Sequence, residues 1–166
     1  MTNLPQIKQN AGFTLIEVLV ALVILSVGLL GVASMQLNGL RGNHTAYLRS
    51  QGLQYAYEVL DMMRANRANA ISATASNNYV IAAGEDPATL GKTGVTLSDL
   101  NEWLAGLGGT TNVNSGLPGG QGAISVTAID ENADSNPDTW LVRITVSWVS
   151  NNADDATPAV VVESKL

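Results

Sequence analysis

One long apolar run dominates the first third of the chain. From Val18 to Ala33 no residue is charged and only Ser26 is polar. Extended to Phe13–Met35, the run is interrupted only by Thr14, Glu17, Ser26 and Ser34. A membrane-spanning helix needs roughly 20 predominantly apolar residues, so the length suits a bilayer. No proline breaks the run; Gly28 and Gly31 weaken it as a helix, which lipid tolerates. The helical pattern continues without proline to Ala70. Along it Leu37, Leu40, Leu48, Tyr55, Val59 and Met62 form one stripe, while Leu53, Tyr57 and Leu60 lie opposite. The first stripe suits packing on the chain's own domain. The second is either wrapped by that domain or left for contacts with other subunits. A helix from Phe13 to Ala70 would be roughly 87 Å long, and Gly39, Gly42 and Gly52 would make it soft rather than straight.

After Ala70 the pattern changes. Asn69 to Gly94 reads as loop, with Tyr79–Ala83 (YVIAA) as a possible short strand. Ser98 can cap a short helix, SDLNEWLAGL, whose Leu100, Trp103, Leu104 and Leu107 share a face. The glycines of GLGGTTNVNSGLPGGQG mark a loop. AISVTAI and WLVRITVSWV then alternate as strands, the second with Trp140, Val142, Ile144, Val146 and Trp148 on one face. DENADSNPDT joins them as a long hairpin loop, and AVVVE supplies a third strand. Such a sheet needs an apolar partner, and the amphipathic helix is available. The predicted fold is α+β: a long N-terminal α-helix with a small antiparallel β-sheet packed on its distal half.

Charge and composition narrow the chemistry. The chain has no cysteine, which excludes disulfides, thiolate metal sites and cysteine nucleophiles. His44 is the single histidine and falls in line with the apolar stripe as a tolerated helix position. The net charge of −6 argues against nucleic acid as a partner. The segment GEDPATLGKTG suggests a phosphate-binding loop, but that motif needs four residues between its glycines, and Gly84 and Gly91 enclose six. No apolar helix pattern starts at Thr93 either, so it reads as a polar loop. Asp130, Asn132, Asp134, Asn136 and Asp138 alternate as in a calcium loop, yet Ser135 stands at the glycine position and Leu141 at that of the bidentate glutamate. An acidic hairpin turn is the simpler reading, with no metal and no cofactor. Arg64 and Arg67 fall near a helix C-terminus, where cations are favoured. No nucleophile–base pair stands out, which argues against an enzyme.

Glu17 remains to be explained. A signal peptide would use Lys8, the apolar core and a small-residue cleavage site at Gly31-Val32-Ala33, but this core exceeds the usual length of about 7–15 residues. A plain anchor leaves unexplained a carboxylate that costs about 2.5–3.5 kcal/mol at mid-membrane and less near the interface. Cleavage between Gly12 and Phe13 gives it a use. The new ammonium at Phe13 lies four residues before Glu17, within reach of its own or a neighbouring chain's carboxylate. In an apolar surround each charge is costly alone, so the pair fixes the register of one helix against the next.

GFTLIEVLVALVILSVGLLG resembles the N-terminal signature of type IV prepilins and the related pseudopilins. In that pattern a short leader ends in glycine, the mature chain starts with phenylalanine, and glutamate is its fifth residue. Gly12, Phe13 and Glu17 match position for position. The resemblance implies cleavage after Gly12 and N-methylation of Phe13 by a prepilin peptidase, and helix-bundle packing in a pilus core with Glu17 as the register mark. It divides the chain into a leader at 1–12, a transmembrane and filament-core helix at 13–37, its amphipathic continuation at 38–70 and a globular head at 71–166. Ser34 stands where major pilins have a helix-kinking proline. RSQGLQYAYEVLDMMRANR, SDLNEWLAGL, GLPGGQGAISV and WLVRITVSW resemble, in that order, the type IV pilus modification group PilV, which are minor pilins. That implies a non-enzymatic subunit of pilus assembly. Its partners would be other major and minor pilins, the prepilin peptidase, the inner-membrane assembly platform and membrane lipid. The precursor would sit in the inner membrane with its head in the periplasm before joining the pilus. The alternatives are a type II secretion or competence pseudopilin and, from another class, a signal-anchored binding domain or enzyme.

Overall fold

The uninterrupted helical pattern folds as one helix, α1 (Leu15–Ala65). The structure, a computed structural model, describes residues 12–108, 116–133, 137–150 and 157–166. The expected leader up to Ala11, with Lys8, and Asp134 and Asn136 of the acidic loop lie outside the described residues. After α1 come α2 (Arg67–Ala70), α3 (Gly94–Gly106), β1 (Gln121–Ile129), β2 (Thr139–Ser147) and β3 (Ala159–Lys165). The chain is α+β, as expected: a long N-terminal helix and a three-stranded antiparallel sheet.

The chain divides into two compact units between His44 and Thr45. In the first, every described residue is exposed, including the whole apolar run. This part of α1 is long and apolar enough to cross a membrane.

In the second unit the sheet has the order β1-β2-β3, with Ile144 opposite both Ile124 and Val162. The alternating face of β2 is borne out. Val142, Ile144, Val146 and Trp148 are buried, and Trp140 is half-buried. The helical stripe needs correction. The buried line on α1 is Leu48, Gly52, Ala56, Val59, Leu60 and Met63. Tyr55 and Met62 are only half-buried, and Leu37 and Leu40 are exposed. From the opposite stripe Leu60 is buried, while Leu53 and Tyr57 stay exposed. The reason is steric. A Cβ on Gly52 would stand 2.9 Å from the Trp148 ring and 3.2 Å from Val160, so the smallest residues mark where the sheet comes closest. Gly52 serves close packing against the sheet.

Two loop expectations also change. Ser98 lies inside α3, which starts four residues earlier at Gly94, just after Thr93. That start is fixed from outside the helix. Thr93 N–H donates to Ser76 O at 3.0 Å, and Thr96 Oγ1 donates to Asn77 O at 2.6 Å. A helix therefore does begin just after Thr93, at Gly94, but Lys92 is not available to a phosphate. Its buried ammonium donates to Ala75 O at 2.8 Å and to Asn78 Oδ1 at 2.7 Å. Burial lowers its pKa, and Glu85 partly opposes that. Of the possible strand at Tyr79–Ala83, only Ile81 pairs, exchanging bonds of 3.1 and 2.9 Å with Ile124. The chain turns away at once because the Glu85 carboxylate takes the Ala82 N–H at 2.8 Å.

Arg64 and Arg67 do more than sit near a helix end. Arg64 pairs with Asp61 at 3.0 Å and donates to Ser164 Oγ at 3.1 Å. Arg67 donates to Leu166 O at 3.2 Å, and its guanidinium lies 5.6 Å from the Trp140 ring centroid. Together they tie Ser164 of β3 and the following Leu166 to the end of α1 and to α2.

Tyr79 is fully buried. Its hydroxyl donates to Asp99 Oδ2 and accepts from Asn66 Nδ2 at 3.0 Å. Burial, with the bond to Asp99, pushes its pKa from 10.0 up to about 12. A phenol whose folded pKa is raised contributes stability below its unfolded pKa and loses it as pH rises through the folded one. Thermal unfolding of the detergent-solubilised chain should therefore weaken between about pH 10 and 12, by roughly 2–3 kcal/mol. Lys92 works the other way, since its lowered folded pKa adds stability as pH rises toward 10.5. Tyr79→Phe isolates the tyrosine. The variant should lose the alkaline decline that wild type shows, and equal pH profiles for the two would remove this assignment.

Candidate processing and assembly site

Gly12 and Phe13 precede α1, outside any regular element, and both are exposed. Among the described residues nothing beyond its chain neighbours lies within 4 Å of where a Cβ on Gly12 would stand. Thr14 follows and serves the first turn of α1. Its carbonyl accepts from Glu17 N at 3.1 Å and from Val18 N at 3.4 Å, and its Oγ1 accepts from Glu17 N at 3.4 Å. Threonine with glutamate three residues later is the capping-box pattern, in which the side chains answer the unpaired N–H groups of a helix start. The sequence reading missed Thr14, although the Thr14-Leu15-Ile16-Glu17 spacing was there to be read. Glu17 thus falls in the first turn, where the helix dipole favours an anion by about 0.3–1 kcal/mol.

Phe13, Glu17, Val18, Ala21, Leu22 and Leu25 line a shallow groove of about 240 Å³. Phe13, Glu17, Ala21 and Leu25 run along one ridge at four-residue spacing, and Val18 and Leu22 along the next. Such grooves accept the ridge of a second helix. The small Ala21 keeps the floor low, and Glu17 borders an almost wholly apolar trough. The structure therefore brings Phe13 and Glu17 together, with Gly12 just ahead of the groove.

The head holds a larger cleft of about 620 Å³ between the Glu85–Pro87 turn, α3 and the glycine turn before β1. Among the described residues that line it there is no nucleophile–base pair, and Gly84 to Pro87 of the GEDPATLGKTG loop form one wall. In the acidic hairpin Asp138 Oδ2 accepts from Glu131 N at 2.9 Å, which closes the turn. Among the described residues no group of three His, Cys, Asp or Glu side chains is placed to hold a metal ion.

The family model of the prokaryotic N-terminal methylation motif matches residues 7–33. No curated protein and no solved structure matches the chain. The matched segment contains the Gly12–Phe13 junction, Thr14, Glu17 and the entire groove. Pilin-type chains with this motif are structural subunits, and an inner-membrane-anchored precursor is consistent with the motif and the long apolar helix behind it. The chain therefore carries the N-terminal signature of a type IV prepilin-like protein.

Proposed function

We propose that the protein is a minor pilin of a type IV pilus, of the PilV modification type. A prepilin peptidase cuts it between Gly12 and Phe13 and methylates the new Phe13 amine. The leader ends at residue 12, residues 13–37 enter the filament core, 38–70 continue the helix, and 71–166 form the head. The precursor sits in the inner membrane with its head in the periplasm. The assembly platform then draws it into the pilus among other major and minor pilins.

The observation that carries this reading is the apolar groove lined by both Phe13 and Glu17 at the start of α1. A carboxylate at the edge of such a groove has one efficient partner, an ammonium delivered by a neighbouring helix or by its own Phe13. Mass spectrometry of membrane or sheared filament material should find N-methyl-Phe13 as the mature N-terminus. A protein beginning at Met1 or Ser34 would overturn the reading.

A further inference from the structure

Among the described residues, Gly12 and Phe13 make no backbone hydrogen bond, through either carbonyl or N–H. Both are exposed, so the peptide bond between them is bare. Bonding begins one residue later. The Thr14 carbonyl accepts from Glu17 N and Val18 N, and its Oγ1 accepts from Glu17 N as well. Thr14 is thus the last residue outside α1 and the one that closes its first turn.

The sequence offers no other stop at this point. No proline stands between Pro5 and Thr14, and Ala11 is the best of helix formers. Gly12 alone does not end a helix in this chain, since α1 runs through Gly28, Gly31, Gly39, Gly42 and Gly52. Asn10 is itself a residue of capping type. A helix started at Asn10 would take Gly12 and Phe13 into its first turn. The Gly12 carbonyl would then accept from Ile16 N, in the four-residue pattern of a helix. Proteolysis favours exposed backbone free of such bonds.

We infer that Thr14 is a positioning residue for the cleavage of this chain. By fixing where α1 begins, it keeps the Gly12–Phe13 bond in open, non-helical chain for the peptidase. This rests on the cleavage proposed above. In that step water adds across the amide and the C–N bond breaks. The water oxygen stays on the new Gly12 carboxylate, and Phe13 leaves as an ammonium. Thr14 takes no part in the bonds made or broken.

Pulse-chase of the full-length precursor, in membranes carrying the peptidase, measures how fast chains beginning at Phe13 appear. Thr14→Ala should be cut about five-fold more slowly than wild type. Thr14→Val should be as slow, because it keeps the shape and loses the acceptor oxygen. Thr14→Ser and Thr14→Asn, which cap at least as well as threonine, should be cut at the wild-type rate or faster. Cα chemical shifts of the precursor in micelles give a readout independent of cleavage. Gly12 and Phe13 should be non-helical in wild type and helical in Thr14→Ala. A wild-type rate for Thr14→Ala, or non-helical shifts at both residues in that variant, overturns the inference. So does slow cleavage of Thr14→Asn, which would assign Thr14 to direct recognition by the peptidase. A wild-type chain never cut between Gly12 and Phe13 refutes the underlying reading instead.

Discussion

Gly122→Ala is expected to cost the head about 2–3 kcal/mol and lower its thermal midpoint by roughly 10 °C. Gly122 lies in β1 opposite Val146, under the ring of Trp103. A Cβ there would run into Trp103 Cη2 and stand 2.6 Å from Cζ3 and 2.9 Å from Leu107 Cδ1. Neither side can give way easily. Trp103 and Leu107 are buried, and the indole Nε1 donates to the Tyr55 carbonyl of α1 at 2.9 Å. Strand β1 is paired with β2 along its length. The added methyl must therefore push α3 away from the sheet or turn the indole out of its bond. Trp103→Phe removes the ring atoms that a Cβ would meet. Introduced alone it should destabilise the head, but introduced into Gly122→Ala it should recover part of the loss. Thermal unfolding of the four proteins gives the coupling between the two sites. A Gly122→Ala midpoint within a degree or two of wild type would show that β1 and α3 do not meet as described.

The same contact shows what could be read in the sequence and what could not. Strands announce themselves by alternation, so Val142, Ile144, Val146 and Trp148 declared the inner face of β2. The absence of proline and the apolar run declared α1. Gly52 was read only as softening the helix, and Ala56 and Gly122 did not register, because a small residue leaves no hydrophobic mark. Its value lies in the bulky side chain that arrives from elsewhere, Trp148 or Trp103, and local periodicity is blind to that. The start of α3 was missed for a related reason. Bonds to Ser76 and Asn77 fix it, not a cap of its own. Arg64 and Arg67 were read as answering the helix dipole, but their partners are about a hundred residues away in sequence, at Ser164 and Leu166. The candidate assembly site was the most legible motif, since Gly12, Phe13 and Glu17 are close in the chain. Only Thr14 was overlooked there, a cap hidden beside a more conspicuous acid.

Glu17→Ala should leave the precursor in the membrane and reduce its incorporation into filaments at least ten-fold. Removing a carboxylate relieves an insertion cost of about 2.5–3.5 kcal/mol at mid-membrane, or less near the interface, so membrane entry has nothing to lose. Assembly loses the one charged group in the groove formed with Phe13, Ala21 and Leu25. An unmet ammonium from a neighbouring Phe13 would then have to be buried in an apolar surround, where every 1.4 kcal/mol of penalty is about a ten-fold loss. The capping geometry supplies a competing explanation, because Glu17 also sits in the first turn that Thr14 caps. Glutamine separates the two. A capping box accepts glutamine as readily as glutamate, since it uses only an acceptor oxygen, whereas a charge pair requires the carboxylate. Glu17→Gln should therefore fail in incorporation nearly as badly as Glu17→Ala while keeping the helix start intact. Thr14→Val should show a milder defect, restored by Thr14→Ser, because it removes a cap worth about 0.5–2 kcal/mol and leaves the charge in place. Incorporation can be measured as the ratio of subunit in sheared filaments to subunit in membranes. If Glu17→Gln assembles like wild type, the carboxylate's task is to start its own helix, and the amine at Phe13 must find its counter-charge elsewhere.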